Sequence, residues 1–285
     1  MSLVTVQLNH PGREKAFPDN TAFSNINNKI VRHWNSDKEH YRKFLNTPGR
    51  FIKSIGGPVQ SDTLFFWGEW EGYSIFHPFE NLKEPIGLHT PFFCLDRMDD
   101  NKQYQNTDPY VYGDRFKYAI CSQNGIMLRL DEGSLILFGS KKKEGFVLDT
   151  VFVVKTNIDS KEVQTSGDTL FSHIYDNATL CRLKDVYKTE RRNKHKVYLG
   201  QMHTDDPNYF SYVPCATSTN LKKQKAVLRF HWIAKQQQGH PYSHLNNRAP
   251  IDIWNEVTTY LLDQGFYLAT SMDEPAIYTS LEAIQ

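Results

Sequence analysis

Apolar and polar positions alternate most regularly in three parts of the chain. In "TLFFWGEWEGYSIFHPF", residues 63–79, an extended backbone puts Leu64, Phe66, Gly68 and Trp70 on one face. Phe65, Trp67, Glu69 and Glu71 take the other, which runs from aromatic to acidic. Further on, "GSLILFGS" and "FVLDTVFVVKT" flank the short charged turn "KKKEG". Two β-branched and aromatic runs joined in this way predict an antiparallel hairpin, of a kind that walls a small barrel. In "APIDIWNEVTTYLLDQGFYLAT" the period changes to that of a helix. Ile253, Val257, Tyr260 and Leu261 recur on one side, Asp252 is placed as the N-cap, and Gly265 ends the element.

Elsewhere the patterning is looser. "SDKEHYRKFLNTPGRFIKSI" reads as a short amphipathic helix with Tyr41, Phe44 and Leu45 inward, stopped at Pro48–Gly49. "PIGLHTPFFCLD" reads as a proline-punctuated loop or edge strand. "TLFSHIYDNATLCRLKDVY" reads as a helix, and "NYFSYVPCATS" and "KAVLRFHWIA" as strands. With no internal repeat and no linker, the expectation is one α+β domain over residues 1–285. It has a helical and loop region at 1–60, a β-rich core at 61–235 and a C-terminal helix at about 252–264. Its central antiparallel sheet is expected to be curled or barrel-like.

Composition changes this picture in two ways. Hydrophobic residues are 39% of the chain but aromatics reach 13%, so the core draws on Phe, Tyr and Trp, which favour strands. The net charge of +1 supplies no overall field for nucleic acid or membrane, so such partners need local patches. No secretory signal and no membrane-spanning run is read, and Cys94, Cys121, Cys181 and Cys215 lack C-x-x-C spacing, consistent with reduced thiols in the cytoplasm. His240 and His244 lie four apart, but Pro241 argues against a helix that would align them, and no metal is assigned. The glycine-rich phosphate loops of ATP and dinucleotide sites are absent, and the cofactor is left open.

The candidate chemistry lies in four places. Trp67 beside Glu69 and Glu71 suits a flat ligand with N–H donors, the ring stacking and a carboxylate accepting from the base edge. "TDPYVYGDRFKYAICSQ" groups Tyr112, Tyr118, Cys121 and Gln123 among apolar neighbours. "YFSYVPC" sets Cys215 after a proline. A nucleophile there needs a lowered pKa and a base, for which only His203 and His231 flank it in sequence. Two basic segments carry stackable rings. "KDVYKTERRNKHK" holds Arg191, Arg192, Lys194 and Lys196, and "NLKKQKAVLRFHW" holds Lys222, Lys223, Lys225 and Arg229. Each of these features also has a plain structural reading, as solvated charge or buried core.

Taken together, "FFWGEWEGYS", "TDPYVYGDRFKYAICSQ", "GSLILFGS…FVLDTVFVV" and "FSYVPC" resemble the bacterial and phage proteins grouped as nucleotide-modification-associated domains, over roughly residues 60–220. The hairpin also resembles the small barrels of PUA-like base-reading modules. The first resemblance implies association with systems that modify DNA bases or sense modified ones, in phage genomes or anti-phage loci. Its implied functional residues are Trp67, Glu69, Glu71, Tyr112, Tyr118, Cys121, Gln123, Asp149 and Cys215. The expectation is a nucleotide- or base-binding protein that makes no use of a membrane. The alternatives are a base-modifying transferase or hydrolase with Cys215 or Cys121 as nucleophile, and a protein-interaction module with an aromatic interface.

Overall fold

A computed structural model describes residues 3–9, 23–32, 42–79, 87–97, 107–119, 121, 123–142, 145–159, 162–163, 195–221, 225–233, 242–245 and 248–284. The fold is α+β with strands predominating. In chain order the strands are β1 (Thr5–Asn9), β2 (Phe23–Ile26), β3 (Lys29–Arg32), β4 (Arg42–Ile52), β5 (Gln60–Glu69), β6 (Tyr73–Pro78), β7 (Gly87–Cys94) and β8 (Lys117–Tyr118). They continue with β9 (Leu135–Lys142), β10 (Gly145–Asp159), β11 (Lys196–Gly200), β12 (Val213–Ala216), β13 (Ala226–Leu228), β14 (Tyr242–His244), β15 (Tyr267–Met272) and β16 (Ala276–Tyr278). The helix α1 spans Pro250–Asp263.

One sheet runs β14-β1-β9-β10-β11-β8, with β13 also on β10. The other runs β15-β12-β5-β4-β7-β6-β3-β2, with β16 on β7. In the second sheet β15 also pairs with β4, so β4, β5, β12 and β15 close into an antiparallel four-stranded barrel. Leu45, Phe51, Leu64, Phe66, Val213, Cys215 and Ala269 come from these strands and belong to one buried cluster. At Gly49 the neighbouring strands leave no room for a side chain. A Cβ there would lie 2.6 Å from the Ser271 carbonyl oxygen and 2.7 Å from Leu64 Cδ1. The same cluster takes in Val6 and Leu8 of β1, Ile136 and Phe138 of β9 and Phe152 and Val154 of β10, so both sheets share it. The opposite face of β9–β10, through Leu135, Leu137, Val151 and Val153, is covered by Ile253, Trp254, Val257 and Leu261 of α1.

The expected hairpin is β9–β10 and the expected C-terminal helix is α1, closed by Gly265 at φ 78°. The N-cap is Ala249 with Pro250 in the first turn, rather than Asp252, which lies inside that turn. The described part of residues 1–60 holds strands and turns with no helix, and the described part of the segment read as a helix is mainly the 11-residue strand β4. Pro48–Gly49 does not end it. Between its pairing with β7 at Phe44–Leu45 and with β15 from Gly49 onward, that edge of β4 has no neighbouring strand among the described residues. The Pro48 carbonyl accepts from Asp273 N–H at 2.9 Å, so its backbone polar groups face this gap and its missing N–H interrupts no ladder. β7 is likewise an interior strand rather than a loop or edge, and Pro91 falls where one of its neighbours changes from β4 to β16. The helix read at 168–186 lies outside the described residues.

Candidate functional site

Three strands meet where the two sheets approach each other, and each contributes two residues in adjacent layers. The first layer is apolar: Phe44 of β4, Trp67 of β5 and Val147 of β10 form one buried cluster. Two residues along each strand lies an ionic layer of Arg42, Glu69 and Asp149. Arg42 and Glu69 are directly opposed across the β4–β5 ladder, as are Phe44 and Trp67. Asp149 sits in a β-bulge, where the β9–β10 register shifts between Leu148 and Thr150. The extra residue turns its carboxylate toward Arg42.

Arg42 Nη1 lies 2.5 Å from Glu69 Oε2 and Nη2 lies 2.7 Å from Asp149 Oδ2, with all three side chains at most 2% exposed. Burial acts to lower the Arg42 pKa. Asp149 and Glu69 outweigh it, so the guanidinium is held above its ordinary value and stays charged. Lys225, just before β13, places Nζ 4.5 Å from the centroid of the Trp67 ring, a cation–π contact. The apolar layer opens outward through Phe65, Phe79, Leu88 and Val227, all half-buried. The Trp67 ring is thus 2% exposed, walled by Phe44 and Val147 and covered by a lysine. It is not the open platform expected from a solvent-facing strand.

Of the predicted residues, Trp67, Glu69 and Asp149 come together here, joined by Arg42. Cys121 lies within electrostatic reach of Arg42. It is half-buried, and its backbone is fixed by Asp108, which accepts from the N–H groups of Ala119 at 2.9 Å and Cys121 at 2.6 Å. Glu71 is buried beyond the end of β5, its N–H donating to Thr107 Oγ1 at 3.3 Å.

Tyr112, Tyr118 and Cys215 belong to the core on the opposite face of β5. Tyr112 packs against Phe66 and Trp70 with ring centroids 6.4 and 5.6 Å apart. Burial pushes its phenol far above the usual range, and the Glu274 carboxylate adds to this. Tyr118 is fully buried and donates to the Cys121 carbonyl at 2.7 Å, which makes it a brace for that turn and not a ligand contact. Gln123 is also a brace: its amide donates to the Lys196 carbonyl at 2.6 Å and accepts from Lys196 N–H at 2.9 Å. Cys215 does not fit a nucleophile. It is fully buried, desolvation raises its thiol pKa far above the ordinary value, and the thiol stays protonated.

Of the basic residues expected to contact phosphate, the described Lys196 and Arg229 lie far apart. Arg191, Arg192, Lys194, Lys222 and Lys223 lie outside the described residues. Lys196 pairs with Asp159 at the C-terminal end of β10, whereas Arg229 follows β13 at its N-terminal end. The fourteen residue steps between those ends, Gly145 to Asp159, span roughly 45 Å.

Sequence reasoning missed Arg42, hidden in a charge-rich run read as helix. The one available signal was period-2 alternation through "RKFLNTPGRFI". Among the described residues no group of three His, Cys, Asp or Glu side chains is placed to hold a metal, and no helix is long and apolar enough to cross a membrane. The fold and this junction define an α+β protein with a closed four-stranded barrel and a buried carboxylate–guanidinium–carboxylate layer. Comparison with known protein families, characterised proteins and solved structures yields no match.

Proposed function

We propose that the junction beneath Lys225 binds a nucleotide or a nucleic-acid base, in a protein associated with DNA base modification or its sensing. The observation that carries this reading is the position of Lys225 over Trp67. It joins the ring read as a stacking surface to the basic segment read as a phosphate contact, two features far apart in sequence. A base entering past Phe65 and Val227 takes the ammonium's place on the Trp67 ring. The displaced Lys225, with Arg229 further along the same segment, is then available to a phosphate. Cation–π contacts are worth about 0.5–2 kcal/mol, small enough for a stacked base at about 1–3 kcal/mol to replace.

Calorimetric titration of the full chain with nucleoside monophosphates and with short single-stranded oligonucleotides tests this. Lys225→Ala is expected to weaken nucleotides more than nucleosides and to flatten the salt dependence. Glu69→Gln and Trp67→Phe are expected to abolish binding in protein that circular dichroism shows to be folded. Wild-type affinity in folded Glu69→Gln and Trp67→Phe defeats the reading.

A further inference from the structure

The aromatic surface does not end at Trp67. Phe65 lies two residues outward on the same face of β5, about 7 Å along the strand. Phe44 backs its ring, with 6.3 Å between centroids and 28° between planes. Trp67 is buried and Phe65 only half-buried, so Phe65 is the ring that a ligand arriving from solvent meets first.

A polar group of fixed orientation stands beside it. Asn46 is directly opposite Phe65 on the β4–β5 ladder, which makes the two side chains neighbours on this face. Asn46 Oδ1 accepts from Thr90 Oγ1 at 2.7 Å. A carboxamide held by its oxygen keeps its two N–H donors to offer, and Asn46 is itself half-exposed. A ring with a donor at its edge is a stacking position that also holds a base acceptor.

The opposite wall repeats the same step. Glu69 and Trp67 face Asp149 and Val147 in that order, Glu69 by way of Arg42. Two residues outward, Phe65 is therefore matched by Gly145. A Cβ on Gly145 would lie 3.5 Å from Arg229 Cγ, so the exposed Arg229 belongs to the Phe65 level as Lys225 belongs to the Trp67 level. Each level thus pairs an aromatic ring on β5 with a cation on the segment that carries β13. Two cations in line complement the repeating charge of a phosphodiester chain.

Resting on the reading of Trp67 as a base-stacking ring, we infer that the site takes single-stranded nucleic acid and not a lone nucleotide, a second base stacking on Phe65 while Asn46 donates to its edge. The rings are about 7 Å apart along the strand, twice the roughly 3.4 Å between neighbouring bases of a duplex. The two bases must therefore part from each other, which an unpaired strand allows.

The test separates the second base from the second phosphate. Deoxycytidine monophosphate is titrated into the full chain by calorimetry, with the 5′-phosphorylated dinucleotide of two deoxycytidines. Two further dinucleotides each have one cytosine replaced by an abasic sugar, which keeps every phosphate and removes one ring. The intact dinucleotide is expected to bind about tenfold tighter than either abasic form. Phe65→Leu keeps an apolar side chain without a stacking face, and Asn46→Asp removes the amide donors. Each should cancel most of that difference in protein that circular dichroism shows to be folded. If the abasic forms bind as tightly as the intact dinucleotide while the mononucleotide binds too, the second seat is wrong and the nucleobase reading stands. A difference that survives both substitutions puts the second base elsewhere and overturns its assignment to Phe65. If none of the four ligands binds, the reading beneath fails, and this inference with it.

Discussion

Replacing Arg42 by Met removes the cation from between Glu69 and Asp149 and leaves two buried carboxylates facing each other. Taking charge centres roughly 4 Å apart and an effective dielectric of about 20, each attraction is worth about 4 kcal/mol. The repulsion between carboxylates separated by the width of a guanidinium is about 2–3 kcal/mol. The substitution abolishes both attractions and keeps the repulsion. Against this, the unfolded chain no longer has to desolvate a guanidinium. Breaking a buried pair in this way typically costs about 3–5 kcal/mol. At about 2–4 °C per kcal/mol, the midpoint of thermal unfolding should fall by roughly 6–20 °C. Replacing all three residues at once, with Arg42→Met, Glu69→Gln and Asp149→Asn, removes charge without stranding any, and should lie well above the single variant. Urea unfolding of the wild type, the single and the triple variant measures the ordering directly. A triple variant as unstable as Arg42→Met, or a single variant within about 1 kcal/mol of wild type, would show that the layer is solvated and that the argument from burial is mistaken.

Three further outcomes are expected. Gly49→Ala drives a Cβ into the Ser271 carbonyl oxygen at 2.6 Å, a backbone atom of the closing strand, and should cost about 1–3 kcal/mol in chemical unfolding. An equally stable Gly49→Ala protein would mean that the barrel seam is looser than described. In native protein at neutral pH, iodoacetamide followed by mass spectrometry should label Cys121 before Cys94 and Cys215, which are buried. Early labelling of Cys215 would contradict its place in the core. His89, buried against Phe76 and hydrogen-bonded to Ser74 Oγ at 2.9 Å, has its pKa lowered by burial, with Lys43, Arg32 and His77 adding to the effect. Its neutral form contributes stability that is complete above the unfolded value of about 6.5 and lost progressively as pH falls below it. Melting temperatures of wild type and His89→Gln between pH 7.5 and 5 should therefore converge at the acid end, and parallel curves would exclude the assignment.

Much of the framework was legible because its patterns are local. The β9–β10 hairpin and β5 announce themselves by alternation, and α1 by a helical period ending in Gly265. β4 was misread because its inward residues include Arg42 and Lys43, which look like solvent-facing charge until the partners that bury them are known. Its internal Pro48 is tolerated only because a neighbouring strand stops short, a fact of tertiary arrangement. The candidate site was half legible for the same reason. Glu69 stands out beside its aromatic neighbours, whereas Asp149 is named only through the family resemblance. That one guanidinium serves both depends on a contact between sheets that no short window of sequence contains. Cys215 after its proline drew attention as chemistry, yet its surroundings make it a small apolar residue of the barrel interior.

Asp149 also stands outside the parity of β10. It is the extra residue of the bulge, and Phe146 and Leu148 before it and Val151 and Val153 after it all point toward α1. Deleting this single residue would leave Leu148 against Gly139 and Thr150 against Phe138 in a strand of unbroken alternation, so the side chains that follow would keep their faces. The seat of the helix and the shared core would persist while one carboxylate vanished. The ionic layer thus depends on a residue that the sheet itself can do without.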